Sequence, residues 1–144
     1  NATDGYEKKP DANDTPFAHG WRHTGEQGVL DEDGYLRVTG RLKEIINRGG
    51  EKISPLEVDD VLMDHPAVAQ VVTFAMPHDK LGEEVAAAVV LREGMSATES
   101  DIRAHAATRL ADFKVPRKVL ILDEIPKGAT GKLQRIGLAA KLGL

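Results

Sequence analysis

Two short segments hold the residues best suited to chemistry. Gly128-Ala-Thr-Gly-Lys132 sets one lysine beside glycines on a polar loop, with Lys127 and Arg135 close in sequence. Such a loop can bring an ammonium to an anionic centre. Pro126 and Leu133 stand where an ATP-binding phosphate loop would have Gly and a metal-binding Ser or Thr, so that motif is excluded. The plain alternative is an exposed loop lysine. Arg48-Gly-Gly-Glu-Lys52 is the second segment. Its paired glycines allow positive φ or a close approach of backbone to a ligand, and they equally suit a hairpin turn. His19 and His23 have a helical metal-ligand spacing, but Gly20, Trp21 and Gly25 argue against a helix there. Asp31-Glu-Asp33 lacks the remaining ligands of a calcium loop and reads as a solvated turn. Asn1-Ala-Thr3 and Asn13-Asp-Thr15 are formal glycosylation sites and read as chance matches.

Charge is distributed to match these segments. The 144 residues sum to −4, but residues 41–54 carry +2 and residues 109–144 carry +5, around a block at 55–108 with −7. Two cationic islands in a weakly acidic chain point to a local anionic ligand. They are too short for the basic stripe of a duplex-binding surface, and six aromatics are poor material for base stacking, so nucleic acid is not an expected partner. The absence of cysteine excludes thiol nucleophiles, disulfide scaffolds and Cys-based zinc sites. No apolar run reaches the ~18 residues of a membrane span, and no charged-then-apolar leader is visible, which points to the cytoplasm. The first residue is Asn1, so the sequence reads as a piece of something longer.

The elements that must position these residues follow from the pattern. Residues 1–20 read as loop. Trp21 to Thr39 reads as a short β-meander turning at Asp31-Glu-Asp-Gly34, with too little apolar surface to stand alone. Leu42–Asn47 and Glu51–Ile53 read as two short strands about Gly49-Gly50. Ser54, Pro55 and Glu57 predict a helix start with a capping box, and His65-Pro66 its end; Asp59 and Asp60 are assigned to the favourable end of the helix dipole. Val68–Ala75 and Val85–Leu91 are apolar enough to be strands buried on both faces, joined by a loop from Pro77 to Gly82. Thr98 with Asp101 caps a second helix, Val119–Leu122 is a third strand, and Leu133–Leu144 is a closing helix. The fold class is α+β: a small sandwich of a three-stranded sheet with helices plus a two-stranded hairpin.

Taken in order, these segments resemble the adenylate-forming superfamily of acyl-CoA synthetases and AMP-dependent ligases, most of all its coumarate-, oxalate- and fatty-acid-CoA ligase branch. The resemblance is carried by Thr24-Gly-Glu26, by Thr39-Gly-Arg41 and the run from Leu42 to Pro55, by Phe113-Lys-Val-Pro116, and by Ile125 to Lys132. It implies a reaction in two halves: carboxylate plus ATP gives an acyl adenylate and pyrophosphate, then the CoA thiol displaces AMP. It implies ATP with Mg, bound largely by a missing domain, and CoA as co-substrate. Residues 1–40 would be the end of a large N-terminal adenylation domain and 41–144 the mobile C-terminal domain, with the chain's own N-terminal domain as its partner. Lys132 would be the catalytic lysine of the first half-reaction. Glu26 and Arg41 would contact the nucleotide, Lys43 would be the hinge, and Gly49 and Gly50 would line the CoA tunnel. Lys52, Phe113 and Lys114 would be further CoA or nucleotide contacts. Glu26 departs from the family's aspartate by one methylene. A fragment of this kind is expected to be inert alone. The competing expectation is a free-standing, non-catalytic interaction or regulatory module with the same fold.

Overall fold

The computed structural model describes Gly5, Glu7, residues 16–18 and residues 21–144. The expectations for His19 and for the glycosylation sites at Asn1 and Asn13 lie outside these. The chain divides into two compact units between Lys43 and Glu44, within a single 3-10 turn, Leu42–Glu44.

The described residues of the first unit form two antiparallel pairs. β1 (Phe17–Ala18) pairs with β2 (Trp21–Arg22), and β3 (Glu26–Leu30) pairs with β4 (Leu36–Arg41) with a bulge at Gln27/Gly28. The turn between β3 and β4 is fixed by Asp31, whose Oδ1 accepts the N–H groups of Asp33 and Tyr35 at 3.1 and 2.8 Å. That carboxylate closes an Asx turn. Among the described residues of this unit, several large apolar side chains stay in the open, with Trp21 77%, Tyr35 74% and Leu30 71% exposed.

The second unit is a five-stranded sheet with cover on both faces. Its strands are β5 (Ile46–Arg48), β6 (Glu51–Ile53), β7 (Val68–His78), β8 (Gly82–Leu91) and β9 (Lys118–Ile121). β7 and β8 form a long antiparallel hairpin, and β9 runs parallel to β8. The β5–β6 hairpin joins this three-stranded body through one pair, Arg48 opposite Gly82. β8 is buried on both faces, as its apolar run requires. Val85, Ala87 and Val89 face a cluster with Val58 and Leu62 of α1 (Pro55–Met63) and Ile102 and Ala106 of α2 (Glu99–Ala107). Ala86 and Ala88 face the other way, toward Phe74, Ile125 and Leu138, the last on α3 (Leu138–Lys141). Burying each of the larger side chains contributes about 1.5–3 kcal/mol.

Several local expectations change. Thr98 and Asp101 form the expected reciprocal capping box. Ser54 makes no capping bond with its side chain, and the Glu57 carboxylate that would complete the box is drawn to Lys114, whose Nζ donates to both its oxygens at 2.6 and 2.8 Å. Leu42–Glu44 is a 3-10 turn rather than the start of a strand. The β7–β8 strands run further than the apolar pattern, through Pro77 and His78. Proline is tolerable there because β7 is an edge strand. The closing helix shrinks to Leu138–Lys141, since Gly137 adopts φ +77° just before it.

A buried ion pair ties the hairpin to the sheet. Arg48 Nε donates to Glu84 Oε1 at 2.7 Å, with the Glu84 side chain 4% exposed and that of Arg48 29%. Burial alone would raise the Glu84 carboxyl; the Arg48 guanidinium and the Val85 N–H hold it below its ordinary 4.5. Its stabilisation is therefore complete above pH 4.5 and fades as pH falls through the lowered value. Glu84→Gln should cost about 2–3 kcal/mol at neutral pH, less than a fully buried pair because Arg48 can regain water. Urea denaturation of both chains across pH 7 to 3 should show the difference shrinking below pH 4.5.

Candidate functional site

Lys132 stands on the returning arm of a clamped loop that turns at Ala129-Thr130. Ile125 on one side and Leu138 on the other are buried, at 1% exposure each. Between them Lys127 pairs with Leu133, Gly128 N–H donates to Lys132 O at 2.8 Å, and Gly131 N–H donates to Gly128 O at 2.9 Å with φ +73°. Lys132 itself is exposed, and its ammonium has no hydrogen-bond or ion-pair partner among the described residues. Beyond it, Arg135 is drawn inward. Its Nε lies 3.1 Å from Glu44 Oε2, its Nη2 2.7 Å from Asp59 Oδ2, and its Nη1 donates to Thr73 O at 3.0 Å. Asp59 Oδ1 also accepts the Thr73 N–H at 2.7 Å. Burial pushes the Asp59 carboxyl up, against the pull of Arg135 and Thr73 in the opposite direction. Asp59, expected only to favour the helix dipole, is thus also a buried ion-pair partner.

Gly49 and Gly50 form the two-residue turn of the β5–β6 hairpin, with φ +58° and +103°. The hairpin reading of the glycines is therefore correct locally. Gly49 is also closely approached: its N–H donates to Leu81 O at 2.9 Å, and a Cβ there would sit 3.0 Å from Leu81 Cδ2. Lys52 is exposed on β6 of the same hairpin.

In the first unit, Glu26 and Arg41 are direct cross-strand partners. They line an open cleft of about 440 Å³ with Arg22, Thr24, Gly25 and Lys43. Gly25 turns the chain at φ +75°, its carbonyl accepts the Leu42 N–H at 2.8 Å, and Thr24 Oγ1 accepts the Glu26 N–H at 3.2 Å. Three cations and one carboxylate in a single cleft suit a ligand with both anionic and hydroxyl groups. Three expected site residues, Glu26, Arg41 and Lys43, thus come together.

Phe113 and Lys114 lie on a second 3-10 turn, Asp112–Lys114. Lys114 Nζ is held by Glu57 and sits 5.9 Å from the Phe113 ring centre. The structure also gathers residues that the sequence pattern does not join. A cleft of about 260 Å³ is lined by Arg48, Glu84, Arg103, Asp112 and Arg117 among others. Arg103 comes from the acidic block of the sequence, so no local signal connects it to the other two arginines. No group of three or more His, Asp or Glu among the described residues is placed to hold a metal.

Comparison with known proteins follows the same lines. Residues 57–132 match the family described as AMP-binding enzyme C-terminal domain. An oxalate–CoA ligase of Arabidopsis thaliana is 56% identical over 135 residues, covering 94% of this chain and 26% of that protein. The oxalate–CoA ligase of Saccharomyces cerevisiae is 45% identical over 137 residues, covering 94% and 25%. Among solved structures, the o-succinylbenzoate CoA synthetase of Bacillus subtilis, in complex with its acyl-adenylate intermediate, superposes with a TM-score of 0.82 at 36% identity, covering 92% of this chain and 27% of that one. The chain spans about a quarter of the length of the curated relatives it matches.

The Gly49 turn gives a direct test of this geometry. Gly49→Ala should destabilise the chain by about 1–2 kcal/mol through positive φ and the Leu81 contact together. Leu81→Ala removes the contact but not the strain. The Gly49→Ala penalty measured in a Leu81→Ala background by thermal denaturation should therefore fall to about 1 kcal/mol, a non-additivity that strain alone would not produce.

Proposed function

This chain belongs to the AMP-binding enzyme C-terminal domain family, and from that premise we propose that it is the C-terminal portion of an ATP-dependent acid–CoA ligase. In the first half-reaction a carboxylate oxygen attacks the α-phosphorus of ATP, an acyl adenylate forms and pyrophosphate leaves. In the second, the CoA thiol attacks the acyl carbon and AMP leaves. On this reading the remaining machinery lies in the chain's own N-terminal domain, including the acyl pocket and the groups that bind ATP with Mg. By itself the chain is inactive, and the full enzyme works in the cytoplasm on ATP, CoA and a carboxylic acid.

The observation that carries the reading is the presentation of Lys132. An exposed ammonium without a partner among the described residues, on a loop anchored by Ile125 and Leu138, is preorganised to meet charge that develops elsewhere. We assign it to the point where carboxylate and α-phosphate meet. Opposed Glu26 and Arg41 support the assignment of nucleotide contacts: the carboxylate would accept ribose hydroxyls and the guanidinium would face phosphate. The longer reach of Glu26 beyond Gly25 is accommodated in this reading by the bulge that follows it at Gln27/Gly28. The exposed apolar side chains of the first unit support a partner surface belonging to the rest of the enzyme.

The second half-reaction needs a different set of groups at the same place. We assign Gly49 and Gly50 to the wall of the pantetheine tunnel, with Lys52, Phe113 and Lys114 near the CoA. Lys43 is the assigned hinge, and the boundary between the two units immediately after it supports that assignment.

The two assignments separate in one paired measurement on the full-length enzyme, ATP–pyrophosphate exchange against acyl-CoA formation from supplied acyl adenylate. Lys132→Ala should lower exchange by about 10²–10³, the worth of one preorganised charge, and leave thioester formation nearly unchanged. Lys43→Pro fixes φ near −65° and removes an N–H, so it should lock one arrangement. Exchange should persist within about tenfold while thioester formation falls by orders of magnitude. Equal damage to both halves by Lys132→Ala, or intact thioester formation in Lys43→Pro, would refute the assignments.

A further inference from the structure

Arg135 lies three residues beyond Lys132, and its guanidinium is the most heavily engaged cation in the second unit. Its three nitrogens reach three different acceptors: Glu44 Oε2 at 3.1 Å, Asp59 Oδ2 at 2.7 Å and Thr73 O at 3.0 Å. The side chains of Arg135, Asp59 and Glu44 are only 15, 12 and 20% exposed. Thr73 lies on β7, the edge strand, and its N–H and C=O are taken by Asp59 and Arg135. Glu44 is the first residue of the second unit, next to Lys43.

Drawing one guanidinium and two carboxylates out of water is costly, and apolar side chains of similar volume would stabilise a fold as well or better. What a guanidinium supplies and apolar contacts do not is direction. Its rigid planar fork fixes three acceptors at once, whereas a lysine offers a point charge on a flexible stem. Here that fork holds the chain just past Lys132 to the residue just past the assigned hinge.

We propose that Arg135 is a positioning residue for adenylation: by gripping Glu44, Asp59 and Thr73 it fixes the Lys132 loop to the chain leaving Lys43, so that the loop and the hinge exit turn as one piece. This rests on the reading of Lys132 as the lysine of the first half-reaction. Arg135 touches no reactant and acts only through where it leaves Lys132.

The test uses the full-length enzyme carrying this chain, assayed for ATP–pyrophosphate exchange and for thioester formation from supplied acyl adenylate. Arg135→Ala should lower exchange by about 10–10², the scale of a misplacement near 1 Å, and leave thioester formation within about threefold. Arg135→Lys should recover only part of the loss. In a Lys132→Ala background, Arg135→Ala should cost nothing further, because there is no ammonium left to misplace. Glu44→Gln keeps the Arg135–Asp59 pair and the fold, and should show the same pattern at about three- to tenfold; it decides the matter if Arg135→Ala fails to fold. A further loss on top of Lys132→Ala, equal loss in both half-reactions, or unchanged exchange in Arg135→Ala and Glu44→Gln would overturn the proposal. If Lys132→Ala itself leaves exchange intact, the Lys132 reading falls and this proposal falls with it. If Lys132→Ala is impaired and the Arg135 variants are not, only the role of Arg135 is refuted.

Discussion

The grip of Arg135 on Asp59, Glu44 and the Thr73 carbonyl satisfies the middle of β7, an edge strand of the sheet in the second unit. β7 has β8 on one side only, and an unpaired strand edge in the middle of a domain must be satisfied or shielded. Asp59 supplies an acceptor from α1, and Arg135 supplies a donor from the chain that leaves the Lys132 loop. The cluster therefore joins the helix-covered face of the sheet, the strand edge and the C-terminal segment. Burial raises the Asp59 carboxyl, and the neighbouring guanidinium counters it, so the charges hold each other in place.

Rigid and free groups are sharply divided around that clasp. β8 buries side chains into both faces, and the two apolar clusters that it separates hold α1 and α2 on one side and Ile125 and Leu138 on the other. Against this frame Lys132 lies on an exposed loop, and Gly49 and Gly50 lie at the end of a hairpin joined to β8 by a single residue pair. Arg48 and Glu84 brace that hairpin much as Arg135 braces the loop. Lys132, Gly49 and Gly50 are exposed, while Arg135 and Arg48, a few residues or one residue away, are largely shielded. Such an arrangement suits the proposed offering of two sets of groups to one reaction, since turning a rigid body moves its periphery furthest.

Much of this was legible in the residues. The continuous apolar run Val85–Leu91 and the Thr98–Asp101 box are local signals, and the structure follows both. The family resemblance agrees with the family match and the relatives. What failed was settled by distant partners. Ser54 and Glu57 have the spacing of a capping box, but Lys114, 57 residues on, takes the carboxylate. The closing segment has helical residues from Leu133, but Arg135 is pulled inward and Gly137 breaks the backbone, leaving one turn. Asp59 could have been suspected, since it lies on the same helical stripe as the buried Pro55 and Leu62. Arg103 could not, because only the packing of α2 brings it to the cleft with Arg48 and Arg117.

The central claim is that the second unit turns about Lys43 between two working arrangements. This chain has no cysteine, so once any cysteines elsewhere in the full-length enzyme are replaced, two introduced thiols can be labelled selectively. Asp33 in the first unit and Glu93 in the second are both exposed. With Asp33→Cys and Glu93→Cys carrying spin labels in the full-length enzyme, the interspin distance can be measured by double electron–electron resonance. One sample would hold ATP with a non-reactive carboxylate analogue, the other a non-hydrolysable acyl-adenylate analogue with CoA. The account predicts two distinct distance distributions, collapsing to a single one in Lys43→Pro. One unchanged distribution under both conditions would contradict it.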